Sequence, residues 1–179
     1  MRYKSVLPLG LVLFFLMSLC ACSSPAPQDK TQMKAPISDQ SKFTWQIKVI
    51  SADTAGALNT MAGIGQYDGS VKDKSYDDAP SNGNEFLIVT LNINKAQVGG
   101  NKFVWENLSV KDNNKKAYHR MEDDTFLARH EYSRLAGTDL TLGESEGSVC
   151  FEIPAGKTVS DYMLVYNAGD EGENTIPLS

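Results

Sequence analysis

Cysteine and histidine are scarce in this sequence, with three cysteines and two histidines among 179 residues. His119 and His130 are eleven positions apart and have no cysteine nearby, so a zinc site would need its remaining ligands from distant carboxylates. We therefore expect both histidines to be solvated surface residues. No metal ion and no noncovalent cofactor is expected.

Positive charge is also limited. Lysine and arginine total 17 against 22 aspartates and glutamates, which gives a formal charge of −5. Arg2 and Lys4 are the only charged residues before Cys22, so the charge becomes −7 when the first 21 residues are removed. A chain this acidic does not attract the phosphate backbone of nucleic acids, and we expect no nucleic-acid partner.

Long hydrophobic runs are absent except at the N-terminus, where residues 6–19 are almost entirely apolar. This run follows Arg2 and Lys4 and precedes a polar segment rich in proline and serine. It has the length of the hydrophobic part of a signal peptide and is shorter than the roughly 20 residues of a membrane-spanning helix. We expect residues 1–21 to be a signal peptide; a short N-terminal membrane anchor is the alternative.

The end of this segment, Leu19-Cys20-Ala21-Cys22, resembles the lipobox of bacterial lipoproteins. Cys22 has the aliphatic residue at −3 and the small residue at −1, whereas Cys20 would have bulky Leu19 at −1. The resemblance implies cleavage before Cys22 and a covalent diacylglycerol on its thiol. Two acyl chains suffice for stable anchoring, so we expect a lipid-anchored protein on the outer face of the cell membrane.

Cys150 is then the one cysteine left in the mature chain, which excludes an intramolecular disulfide. Its neighbours Val149, Phe151 and Ile153 share one face of a strand, so Cys150 should lie on the opposite, semi-exposed face. Replacement of Cys150 by serine should accordingly cost under roughly 1 kcal/mol.

Residues 22–42 are predicted to be the lipidated cysteine and a disordered linker, and residues 43–179 a single domain. Apolar and polar residues alternate in several short runs of the domain, and no amphipathic helix stands out. Trp45 shares a strand face with Phe43, Ile47 and Val49, which indicates a core residue rather than a ligand platform. Strands are predicted at 43–49, 86–94, 105–110, 117–118, 140–153 and 162–166. Such a series predicts an all-β, antiparallel β-sandwich.

Two segments have no clear strand pattern. Residues 52–84 are rich in glycine and aspartate and are predicted to be a long loop, and residues 123–137 could contain a helical turn.

Three stretches carry a resemblance to a known family: residues 79–89, residues 108–118 around the turn after Asp112, and residues 142–154. Together with Leu164-Val165-Tyr166 they resemble the immunoglobulin-like domain of unknown function found in lipoproteins of Gram-positive bacteria. The fold of that domain is similar to that of a secreted mycobacterial immunoprotective antigen. Leu142 departs from the family pattern, which has proline there. The resemblance implies an immunoglobulin-like fold and a surface location, and it transfers no catalytic or ligand-binding residues.

Asp68, Asp73, Asp77 and Asp78 lie close together in the predicted loop, and carboxylates on one loop could wrap a calcium ion. Their spacing is neither that of an EF-hand nor that of the glycine-rich calcium repeats. We expect a solvated acidic loop.

Catalysis has little support in the sequence. Ser109 or Ser133 could be combined with His119 or His130, but neither serine lies in a nucleophile motif. The Gly63-Ile64-Gly65-Gln66 segment lacks the third glycine of a dinucleotide loop. Arg129 and Arg134 could bind a carboxylate or phosphate, although the 129–134 segment is more typical of a local salt-bridged face.

The sequence therefore predicts a membrane-anchored lipoprotein with a non-enzymatic binding domain and a cell-surface protein as its partner. A solute- or ion-binding accessory subunit of a transporter or sensor is the alternative, and an enzyme comes third. A binding module should expose an apolar or charged patch, and an accessory subunit should contain a concave pocket with convergent polar groups.

Overall fold

The computed structural model describes residues 38–65, 68–96, 98–136 and 140–179. The predicted signal peptide, the lipidation site Cys22 and the tether up to residue 37 lie outside these ranges. Within them, no helix is long and apolar enough to cross a lipid bilayer.

The described ranges contain nine β-strands and five short 3-10 helices. The strands are β1 (Trp45–Ala55), β2 (Leu58–Gly65), β3 (Val71–Asp78), β4 (Asn84–Lys95), β5 (Leu108–Asp112), β6 (Ala117–His119), β7 (Gly143–Pro154), β8 (Tyr162–Asn167) and β9 (Glu173–Pro177). The 3-10 helices are Gln40–Lys42, Trp105–Asn107, Thr125–His130, Val159–Asp161 and Gly169–Glu171. The strands pair antiparallel, which confirms the predicted all-β fold of antiparallel sheets.

The strands form three sheets. The three-stranded sheet has the order β1-β4-β7, and the four-stranded sheet has the order β6-β5-β8-β9. Strands β2 and β3 form a separate two-stranded sheet, which we call the arm. The arm is inserted between β1 and β4, which are themselves paired from Trp45 with Lys95 to Ala55 with Phe86.

One hydrophobic core lies between the three-stranded and four-stranded sheets. Alternate residues of β4 point into it, and Trp45 and Ile47 of β1 are buried there as the sequence pattern predicts. The β4 residues are Leu87, Val89, Leu91 and Ile93; the four-stranded sheet contributes Leu108, Val110, Tyr162, Leu164 and Tyr166. Two sheets that enclose a common core in this way form a β-sandwich.

Part of the other face of the three-stranded sheet is also buried, which corrects the prediction for Cys150. Cys150 is 0% exposed. It packs in a second apolar cluster with Phe86, Ile88, Phe126 and Leu127. The predicted alternation holds, because Val149 and Phe151 face the sandwich core, but the Thr125–His130 helix covers the opposite face.

The predicted long loop at 52–84 is wrong for most of its length. Strand β1 continues to Ala55, and the arm accounts for residues 58–65 and 71–78. The arm strands carry glycine, lysine and aspartate because both of their faces are largely exposed, so the apolar alternation of a half-buried strand is missing.

The predicted helical turn within 123–137 is confirmed as the Thr125–His130 helix. It ends at Glu131, whose φ of 66° is left-handed. Arg134 then forms an isolated parallel bridge with Ser148 at the edge of β7.

Residues 38–42, at the end of the predicted tether, contact the domain. Gln40 and Asn174 of β9 exchange side-chain amide hydrogen bonds of 2.6 and 2.8 Å. Gln40 Oε1 also accepts a hydrogen bond from the backbone N–H of Ile47. Gln40 thus joins the start of the domain to both sheets.

Candidate functional site

His130 connects the arm to the body of the domain. Its Nδ1 lies 2.7 Å from Thr60 Oγ1 of β2, and its Nε2 lies 2.8 Å from Asp78 Oδ2 of β3. The His130 side chain is 2% exposed, so the prediction of a solvated histidine is wrong for His130. It holds for His119, which is exposed in β6.

Strand register explains why these side chains meet. Leu58 pairs with Asp78 and Thr60 pairs with Tyr76, so all four project from one face of the arm. That face packs on the Thr125–His130 helix, and Leu58 contacts the apolar cluster around Cys150.

Arg129 adds a second contact to the same carboxylate. Its Nη2 lies 3.0 and 3.1 Å from the two oxygens of Asp78, and its guanidinium lies over the ring of Tyr76. Partial burial of Asp78 acts to raise the pKa of its carboxyl, but the hydrogen bonds from His130 and Arg129 outweigh this and lower the pKa below the ordinary value. Asp78 is therefore held as a carboxylate between two partners.

A buried carboxylate fixes the chain on either side of the helix. Asp124 is 0% exposed and accepts a hydrogen bond from Arg134 Nε, while Arg120 Nη1 lies 3.5 Å from its other oxygen. Arg129 and Arg134 are both paired to aspartates, which confirms the local salt-bridged face predicted for residues 129–134.

Thr60, His130 and Asp78 form a hydroxyl–imidazole–carboxylate chain that sequence reasoning missed, because the threonine and the aspartate lie in the segment predicted to be a loop. The two serines considered there lie elsewhere. Ser109 is buried in β5 opposite His119, and the Ser133 carbonyl accepts a hydrogen bond from the Ser148 N–H. In the hydrogen-bonded series Thr60–His130–Asp78, the imidazole uses both nitrogens to bridge the two arm strands.

The acidic residues of the arm do not converge. Asp68 accepts hydrogen bonds from the backbone N–H and the hydroxyl of Ser70 in the turn, and Asp73 and Asp77 lie on the arm face opposite Asp78. Among the residues described, no group of three or more metal-ligating side chains is arranged to hold a metal ion.

The half of the arm nearest its turn is exposed. Met61 is 72% exposed and Val71 is 68% exposed, and both belong to the face opposite His130. The Cβ of any larger residue at position 63 would lie 2.8 Å from Val71 Cγ1, so Gly63 lets the Val71 side chain lie across β2. Within the described ranges, β2 and β3 pair only with each other.

Two open grooves of the body have mixed linings. One, of about 310 Å³, lies between β1 and the C-terminus and is lined by Gln40, Ile47, Lys48, Val49, Ile50, Ile176, Pro177 and Ser179. The other, of about 270 Å³, lies beside Tyr166 and is lined by Asn101, Lys102, Val104, Asn107, Asn167, Ala168 and Gly169. The first is mainly aliphatic and has no converging charged groups among its lining residues.

Comparisons with protein families, with curated proteins and with solved structures find no match to this chain.

Proposed function

We propose that this protein is a lipoprotein anchored through Cys22 on the outer face of the cell membrane, and that its domain binds another cell-surface protein without catalysis. The domain is an immunoglobulin-like sandwich in this proposal. The signal-peptide pattern and the lipobox support the anchor, and the two antiparallel sheets around one core support the fold.

The observation that carries the binding role is the arm. Its outer half exposes the apolar side chains of Met61 and Val71 on strands that have no further neighbours among the described residues. Exposed apolar side chains and free strand edges are the features through which proteins add partners, and soluble chains usually protect them. The arm is accordingly the proposed binding element.

The base of the arm is built to hold it in place. His130, Arg129 and Leu58 join it to the body by hydrogen bonds, an ion pair and apolar packing. A surface that is already ordered loses less conformational freedom when it binds, and this favours affinity.

Burial supports a non-enzymatic role. Thr60, His130 and Asp78 have the hydroxyl–imidazole–carboxylate order of a hydrolase triad. The His130 side chain is only 2% exposed and lies where the arm packs on the helix, so we expect no substrate to reach it.

The test is affinity capture of the tagged full-length chain from membranes of cells that naturally produce it, followed by mass spectrometry. The arm variant replaces Met61 and Val71 by aspartate. The matched control is Leu142→Asp, because Leu142 is 61% exposed and lies outside the arm.

We expect wild type and Leu142→Asp to capture the same surface protein, and the arm variant to lose it. Equal recovery by all three chains would contradict the arm as the binding element. A captured protein that disappears only with Leu142→Asp would move the binding surface elsewhere.

A further inference from the structure

The outer edge of β2 contains no charged residue. Residues 58–65 read Leu-Asn-Thr-Met-Ala-Gly-Ile-Gly, without a lysine, acidic residue or proline. Natural edge strands usually carry lysine, proline or a bulge, because these features stop another strand from adding to the sheet. Strand β2 has neither lysine nor proline. It also has no bulge, since it pairs with β3 without a register shift.

Strand β3 has the protection that β2 lacks. Lys72, Asp73 and Lys74 stand on it in succession, and all three are exposed. A strand added to the β3 edge would have to pair alongside these charges, whereas a strand added to β2 would meet only uncharged groups. The arm is therefore open to strand addition on its β2 side.

We propose that the β2 edge pairs with the β2 edge of a second copy of this chain, antiparallel and centred on Met61. The pairing makes a four-stranded sheet in the order β3-β2-β2-β3. The pairing uses the same arm as the proposed function and rests on that function in this respect. It names a second copy of the chain as the protein that the arm binds.

The apolar residues of the arm are arranged for this pairing. In a sheet centred on Met61, the two methionines stand directly opposite each other on one face. On each side Val71 lies across Gly63 of its own copy. An apolar strip then runs across all four strands, and the exposed Met61 and Val71 side chains of both copies become part of it.

Local charge does not prevent a second copy from pairing at this edge. The nearest like charges on that face are Asp73 and Asp77, which lie on the outer strands. Three strand spacings separate the two outer strands, roughly 14 Å, which is beyond the screening length of about 8 Å at physiological salt. The copies are net acidic, so added salt should strengthen their association by screening the long-range repulsion.

Antiparallel pairing separates the two points at which the bodies are attached. Each body is attached at the Leu58 and Asp78 end of its arm. In the paired sheet these two attachment points lie at opposite ends of the strands. An eight-residue strand pair is small beside a standard interface, and the association should therefore be reversible and concentration-dependent.

The test is disulfide cross-linking of the full-length chain in mild detergent. Met61→Cys places a thiol on the proposed two-fold axis. Ser75→Cys is the matched control, because Ser75 is the direct cross-strand partner of Met61 and is also exposed, but lies on β3. Two copies of position 75 would be roughly 14 Å apart, beyond the 7 Å between Cα atoms that a disulfide can bridge. The wild-type chain with its own three cysteines gives the background.

We expect oxidation with copper phenanthroline to produce a dimer of Met61→Cys on non-reducing electrophoresis, with Ser75→Cys at the wild-type background. The dimer yield should fall on dilution and rise with salt. Equal yields from both variants, a yield greater for Ser75→Cys, or no dimer from either would overturn the pairing. So would a cross-link of Met61→Cys to a different protein in place of itself.

A second measurement avoids introduced thiols. Sedimentation equilibrium of the full-length chain in detergent should show several-fold weaker self-association for Met61→Lys, since two lysines would then face each other. Ser75→Lys should associate like wild type. If self-association is absent while arm-dependent capture of another surface protein persists, this inference fails and the proposed function stands.

Discussion

Asp78 Oδ2 lies 2.8 Å from His130 Nε2, although the two residues are 52 positions apart in the chain. This contact closes the base of the arm on the Thr125–His130 helix. Thr60 lies on the other side of the same imidazole. The buried ring of His130 thus bridges both arm strands, although the sequence predicted it to be solvated.

Replacement of His130 by alanine should therefore loosen the arm. It leaves Thr60 and Asp78 without their shared partner, and an unsatisfied, partly buried polar group costs about 1–3 kcal/mol. Urea unfolding should show a loss of that order, and hydrogen exchange should accelerate in residues 58–65 and 71–78. His119→Ala, at an exposed histidine, is the control and should change neither; equal effects of the two substitutions would contradict the bridging role.

Stability should fall at acidic pH. Burial acts to raise the pKa of Asp112, but its ion pair with Lys157 and the backbone N–H groups of Lys116 and Asn114 lower it overall. The pKa of Asp78 is lowered in the same way by its hydrogen bonds with His130 and Arg129. A depressed folded-state pKa contributes stability that is present above the unfolded value of about 3.9 and is lost as pH falls through the folded value.

The free energy of unfolding, measured from neutral pH down to pH values below about 4, should show this loss. Asp112→Asn should make the decrease at acidic pH (the acid limb) less steep. Asp170→Asn, at an exposed site, should leave the slope as it is. An acid limb of unchanged slope in Asp112→Asn would count against the assignment.

Cys150→Ser should destabilise the domain, in contrast to the sequence-based expectation. The thiol lies in an apolar cluster, and burial raises its pKa to about 12. A serine hydroxyl placed there without an equivalent partner costs about 1–3 kcal/mol. Urea unfolding measures that cost, and iodoacetamide should label Cys150 only after the protein unfolds; rapid labelling of the native protein would show that the site is open.

The limits of sequence reasoning are visible at particular residues. Leu87, Val89 and Leu91 alternate with polar or second-face residues on a strand of the sandwich core, so pattern alone located β4. Cys150 was misplaced because periodicity assigns a residue to a face but does not show whether a distant segment, here the Thr125–His130 helix, covers that face.

The candidate site was harder to predict than the fold. Its members Thr60, Asp78 and His130 come from three segments, and two of these are arm strands whose exposed faces lack apolar alternation. Leu58, Thr60 and Tyr76 lie on one face of the arm once β2 and β3 are paired, and this shared face would indicate the side that packs on the body. The pairing is a tertiary fact that no local pattern reveals.

Trp45→Ala should be among the most damaging substitutions. Trp45 is 3% exposed, packs edge-on against Phe103, and donates its indole N–H to the Asn101 carbonyl at 2.8 Å. Removing a buried tryptophan side chain costs on the order of 3–5 kcal/mol, a large part of the 5–15 kcal/mol of a typical domain. Ile50→Ala, at a 47% exposed position of the same strand, is the control for urea unfolding and should lose far less. Similar losses in the two variants would remove Trp45 from the core.

The central functional claim, that the domain works from a membrane surface, depends on Cys22 and is tested most directly by metabolic labelling with a palmitate analogue. Full-length wild type and Cys20→Ala should incorporate the label and be cut before Cys22, whereas Cys22→Ala should remain unlabelled and uncut, because the lipobox places the thioether on Cys22. Label that persists in Cys22→Ala, or wild type that is never labelled, would contradict the lipid anchor.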